Sequence, residues 1–222
     1  MKIIRAVIAG VLTLALGNAQ AALFDRGGGL IYDDGLNVTW AANANINGLM
    51  NWNSAKYWAE NLVYGGYSDW RLPNVAPVKI TGFDYTNWGV DGTRDLGYNI
   101  TSKNSEMSYL FYVDLGNNGY LSTGNIIQFV FGLTNSGPFT NFQSGQYWSG
   151  TEHAADPGNA WGFNTSLGDQ EAPGKGNMLY ALAVRDGDVA ASPIPEPETY
   201  ALMLTGLGLL GLTTRRRQQP SK

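Results

Sequence analysis

Two apolar runs, one near each end, decide how much of this 222-residue chain is free to fold. In residues 1–21, Lys2 and Arg5 precede an apolar stretch over residues 6–16. Ala19-Gln20-Ala21 then supplies small side chains at the two positions a signal peptidase pocket accepts. That three-part layout is a cleavable export signal, and the mature chain is expected to begin at Ala22. The second run, residues 199–212, follows Pro193-Ile194-Pro195-Glu196-Pro197-Glu198 and closes on Thr213-Thr214-Arg215-Arg216-Arg217. The expected division is a signal peptide over 1–21, a folded domain over 22–188, a linker over 189–197, and a transmembrane helix with a basic tail over 198–222. About 170 residues then remain for one domain, enough to bury a core without staples.

Each part of the C-terminal segment has a mechanical reading. The prolines cannot donate to a helix and favour extended chain, which suits an enzyme cleft. A helix over residues 200–214 would rise ~22 Å, short of the ~30 Å hydrocarbon core, a gap that flanking residues close by snorkelling. Arg215, Arg216 and Arg217 stay cytoplasmic by the positive-inside rule. The order of Pro195-Glu196-Pro197, Gly-rich apolar segment and Arg cluster resembles the PEP-CTERM sorting signal. The resemblance implies a transient inner-membrane anchor, an exosortase-type sorting enzyme as partner, and delivery to the cell surface or extracellular matrix.

Charge and cysteine content limit what the middle can do. Between residues 22 and 194 there are 8 basic and 16 acidic residues, a net charge of −8. So acidic a domain repels nucleic acid and anionic surfaces, and no nucleic-acid partner is expected. The absence of cysteine excludes a disulfide framework, thiolate metal sites and thiol nucleophiles. Charged residues are only 14% and glycines number 29, the mix of a loop-rich fold.

Along the domain, residues 30–40 read as two strands around a turn, with Asp34-Gly35 able to supply a two-residue type I′ hairpin. Asn53 or Ser54 is expected to cap a helix bearing Ala55, Trp58, Ala59, Leu62 and Val63, ended by Gly65-Gly66. Residues 70–73 read as a short strand stopped by Pro73, and 75–102 as a long structured loop. Asn104 or Ser105 begins a second helix with Met107, Leu110, Phe111 and Val113, ending near Gly116. Residues 126–131, 146–149, 160–165 and 178–185 carry the β-branched and aromatic content of strands. Two helices followed by several strands predict an α+β fold.

The order Asp69-Trp70-Arg71-Leu72-Pro73, Tyr147-Trp148-Ser149-Gly150-Thr151, Ala160-Trp161-Gly162-Phe163 and Tyr180-Ala181-Leu182-Ala183-Val184-Arg185 resembles the Lcl C-terminal domain family, named for a collagen-like bacterial adhesin. Asp69 to Pro73 is its most specific piece. The same Trp-Arg-Leu-Pro element occurs in the formylglycine-generating-enzyme branch of the C-type-lectin-like fold. The resemblance therefore implies a C-type-lectin-like domain with two helices and several short antiparallel strands. Many relatives place cysteines in these motifs, and this chain has none; the adhesin binds polyanionic sugars, and this domain is acidic.

Arg71 can either grip a carboxylate or sugar hydroxyls, or pair with Asp69 or another acid as a structural tie, and the structural role is favoured. Trp148 and Trp161 can be sugar-stacking platforms or core aromatics; their alternation with small residues favours the core. Residues 114–119 partly match a calcium loop but lack its later ligands, so a helix end and turn is expected. Asp84, Asp91 and Asp95 are the better calcium candidates, though in no standard spacing. The single histidine, His153, is expected in a surface loop. With no nucleophile elbow and scattered carboxylates, no catalytic residue, metal or other cofactor is assigned. The expectation is a non-catalytic module that binds extracellular polysaccharide, the rivals being a structural envelope protein or a cryptic hydrolase.

Overall fold

The computed structural model describes residues 22–189. The expected signal peptide, the sorting motif, the expected membrane helix and the basic tail lie outside the described residues. Within them, no helix is long and apolar enough to cross a membrane.

The described residues build two sheets and two short helices, an α+β arrangement. The first sheet has the order β1 (Leu23–Gly27), β2 (Leu30–Asp33), β3 (Val38–Ala41) and β9 (Val184–Asp186), all antiparallel. The second runs β4 (Trp88–Gly89), β5 (Leu96–Tyr98), β8 (Asp169–Glu171), β7 (Ala160–Asn164) and β6 (Gln146–Glu152). Among the strands of the described residues only β4 and β5 pair in parallel. Helix α1 (Trp52–Glu60) and helix α2 (Glu106–Tyr109), the latter continuing as a π-helical turn over Leu110–Asp114, complete the set. The core fills with Trp40, Phe111, Tyr147, Phe163 and Leu182 on one side, and Trp52, Ala55, Leu72 and Trp148 on the other.

Several boundaries differ from expectation, each for a local reason. The β2–β3 hairpin forms, but Asp33 pairs with Val38, so the turn has four residues. Its positive φ falls at Asn37 (56°), and the Asp33 carboxylate accepts the Leu36 N–H. Helix α1 begins earlier because Asn51 caps it, accepting from the Ser54 N–H at 3.0 Å. It ends at Glu60, so Leu62 and Val63 lie beyond it. Residues 70–73 form no strand; Arg71 alone exchanges backbone bonds with Val184. Residues 126–131 form an exposed loop, and of residues 178–185 only the end pairs as β9. The strands β1 and β8, and β4 with β5 inside the long loop, appear where no strand was expected.

Candidate functional site

The Asp69-to-Pro73 element sits where the two sheets and both helices meet, and each of its side chains holds something. Trp70 donates its indole N–H to the Tyr67 carbonyl at 3.1 Å and stands edge-on to Tyr64. Leu72 packs under α1 against Trp148, and the Pro73 carbonyl accepts the Gly150 N–H at 2.8 Å. Asp69 does not pair with Arg71. It meets Arg185 through two bonds of 2.8 Å, and this donor holds its carboxyl below the usual range. Arg185 in turn lies 4.2 Å over the Tyr67 ring.

Arg71 spends all of its donors. A guanidinium has five N–H groups. Nη1 donates to Glu106 at 2.7 Å and to the Leu72 carbonyl at 3.1 Å. Nη2 donates to Glu106 at 2.8 Å and to Asp186 at 2.5 Å, and Nε reaches Asp186 at 3.2 Å. Burial disfavours the charge, but Glu106 and then Asp186 outweigh it and hold the group protonated. No donor remains for a ligand, so Arg71 is a structural tie among α2, β9 and the Trp70 loop.

Tyr147, Trp148 and Trp161 are fully buried. Trp148 donates to the Met50 carbonyl, and the Tyr147 hydroxyl accepts from the Gln143 N–H. Trp161 stacks on Phe83 at 5.0 Å, and none of the three rings can receive a sugar face. His153 is buried too, edge-on to Tyr85 at 4.5 Å, with Nδ1 accepting the Asp156 N–H. Its loop folds inward because Tyr85 and Trp161 cover the ring.

The acidic loop uses its carboxylates on itself. Asp84 pairs with Arg94 and accepts from Thr86 and Asn87. Asp91 accepts from Thr93, and buried Asp95 accepts the N–H groups of Val78 and Asp84. Among the described residues no group of three His, Cys, Asp or Glu side chains is placed to hold a metal ion. Two pairs of neighbouring carboxyl groups form, each with one buried member, Asp33 or Asp169. Asp114 lies at the end of the π-helical turn beside Asp33, and burial, then the Asp33 charge, pushes its carboxyl up. Asp169 on β8 is pushed up to about 7 by burial and then by Glu171, and one of its oxygens has no hydrogen-bond partner.

What the sequence reading missed is a groove on the outer side of α1. The helix buries Trp52, Ala55 and Ala59, with the Trp52 indole donating to the Ser149 carbonyl at 2.8 Å. Positions 54, 57, 58 and 61 then turn away from that face. Tyr57 is 70% exposed, while Trp58 is half-buried and wedged between two core clusters. With Asn47, Asn53, Asn61 and the Leu62-Val63 segment they line an open cavity of about 630 Å³ containing no charged side chain. Asn47 donates to the Met50 sulfur, and Asn61 to the Tyr57 carbonyl. Among the described residues the Asn53 carboxamide has no partner and is free to bind. An aromatic at a non-core position of a helix was the signal available in the sequence.

The described residues thus form an α+β domain tied at its waist by a saturated arginine, with an uncharged aromatic and amide groove on one helix. The chain belongs to the Lcl C-terminal domain family, whose model matches residues 29–185. The PEP-CTERM protein-sorting motif matches residues 193–217, which makes the chain an exported protein processed by an exosortase-type enzyme at the membrane. Comparison with curated proteins finds no match.

Proposed function

We propose that this exported protein is a non-catalytic surface or matrix module of the C-type-lectin-like kind, and that it binds a neutral or weakly acidic polysaccharide through the groove on α1. The observation that carries the reading is the pairing of exposed Tyr57 and anchored Trp58 with three asparagines in a wall without charge. Sugar rings present apolar C–H faces and rims of hydroxyls. Aromatic faces take the first, and carboxamides donate to and accept from the second. Trp58, held by the core, loses little freedom on binding, which favours affinity. The net charge of −8 argues against a sulfated ligand, since the attraction would have to come from only 8 basic residues. Six of those 8, Arg26, Lys56, Arg71, Arg94, Lys175 and Arg185, are already in ion pairs with Asp or Glu.

Affinity electrophoresis through gels cast with neutral, uronic-acid or sulfated polysaccharides tests the reading. Retardation by a neutral or uronic polymer, lost in Tyr57→Ala, is expected. Retardation by the sulfated polymer alone would overturn the choice of ligand, and none in any gel would leave a structural envelope role.

A further inference from the structure

The longest stretch of the domain without charge ends up as its most apolar surface. From residue 115 to residue 151 there is no Asp, Glu, Lys, Arg or His. Within it, residues 118–132 fold back on themselves as a ribbon. Its rungs are Ser122 N–H to the Ile126 carbonyl, Gln128 N–H to Tyr120, and Gly132 N–H to Asn118, at 2.8–2.9 Å. Asn125, with φ of 58°, makes the turn. Between the last two rungs, Phe129, Val130 and Phe131 stand opposite Gly119 alone, so the chain bulges outward. Phe129 is 100% exposed, Val130 66% and Ile126 68%, with Ile127 beside them. Phe131 is edge-on to Tyr120 at 5.1 Å, and the Gln128 carboxamide donates to the Gly119 carbonyl, so the ribbon is braced from behind.

Single exposed apolar residues are ordinary, but a contiguous convex cluster marks a contact surface. A flat patch suits a self-complementary protein partner. A protruding wedge suits a fluid apolar phase, which needs no matching pocket. We infer that the ribbon tip, Ile126, Ile127 and Phe129 to Phe131, dips into the lipid interface of the membrane at which the chain is sorted. The chain's own geometry puts that membrane within reach. The described residues end at Val189, and the apolar run begins at Thr199. The intervening nine residues span at most ~30 Å, while a domain of this size is ~40 Å across. The domain is thus confined against the bilayer, where even a weak contact is populated through effective concentration. The uncharged segment lets the tip approach anionic headgroups without the repulsion that the acidic faces meet. Salt therefore does not weaken the contact, unlike that of a basic patch.

The absence of cysteine makes a clean test. Full-length Phe129→Cys and a control, Glu60→Cys on α1, each carry an environment-sensitive fluorophore and are reconstituted into vesicles of phosphatidylethanolamine and phosphatidylglycerol. The label at 129 is expected to shift to the blue and to be quenched severalfold by nitroxide-bearing lipid, equally at 0.1 and 0.5 M salt. The label at 60 is expected to stay aqueous. A label at Ile126→Cys should lose its shift when Phe129→Ser and Val130→Ser are added with the melting temperature unchanged. Emission from position 129 that matches position 60 overturns the inference. So does a blue shift that ignores lipid nitroxide and grows with protein density, since it assigns the tip to a second copy of the chain.

Discussion

Replacing Arg71 by alanine should destabilise the domain by about 3 kcal/mol. Glu106 is almost buried, its side chain 12% exposed, and it would lose two charge-assisted bonds of 2.7 and 2.8 Å. It would keep only the Asn74 N–H at 2.6 Å. Stranding one partner of a buried pair costs ~3–5 kcal/mol. The lower end applies, because the Arg71 side chain is itself about a third exposed and water can reach the gap. Asp186 adds little to the loss, since its side chain is 82% exposed and returns to solvent. For a domain of this length ~1 kcal/mol moves the melting temperature by ~2–4 °C, so a drop of ~6–12 °C follows. Thermal unfolding followed by near-ultraviolet dichroism measures it. Asp186→Ala should cost under ~1 kcal/mol, and Arg71→Met combined with Glu106→Gln should recover part of the loss. An Arg71→Ala melting temperature within 2 °C of wild type, or an equal drop in Asp186→Ala, would refute the reasoning.

Asp169→Asn should alter how stability depends on pH. Its carboxyl stays protonated in the folded chain up to about 7 but ionises in the ordinary carboxylate range when unfolded. The native state therefore binds more protons over that interval, and its stability falls as pH rises from about 4 through 7. The variant should be as stable as wild type near pH 4 and more stable at pH 8, by ~1–3 kcal/mol; an equal shift at both values would contradict this. Glu196→Ala should leave export intact and accumulate an unprocessed membrane-bound form on gels of envelope fractions. Processing identical to wild type would detach the Pro-Glu-Pro element from sorting.

Helix α2, β6, β7 and the hairpin turning near Asp34 were legible because the local pattern and the tertiary demand agree there. Strand β8 was not, because Asp169-Gln170-Glu171 has the composition of a turn. It is a strand because its backbone pairs with β5 and β7, and Gln170 is clamped between Ser105 and the Asp95 carbonyl, partners 65 and 75 residues away. Residues 126–131 failed in the opposite sense. Their apolar, β-branched content fits a strand, but no neighbouring strand completes a sheet, and the bulge at Phe129 turns them outward. The structural role of Arg71 could be read from its neighbours Trp70 and Leu72. Its partners could not, since Glu106 and Asp186 lie 35 and 115 residues along. The alternation of Trp148 and Trp161 with small residues favoured the core, and both are buried, while Tyr57 passed as an ordinary helix residue, because exposure on one helical face is a property of packing.

The groove itself is most directly tested by calorimetric titration of the protein with the polysaccharide that retards it in gels, at 50 mM and at 1 M salt, with and without chelator. Stacking and amide hydrogen bonds predict an affinity that changes less than about twofold with salt or chelator. Removing the Tyr57 ring in Tyr57→Ala should weaken it at least about tenfold, or ~1.4 kcal/mol. An affinity that collapses at 1 M salt, where screening shrinks to ~3 Å, that vanishes with chelator, or that survives Tyr57→Ala unchanged would contradict binding through the uncharged aromatic groove on α1.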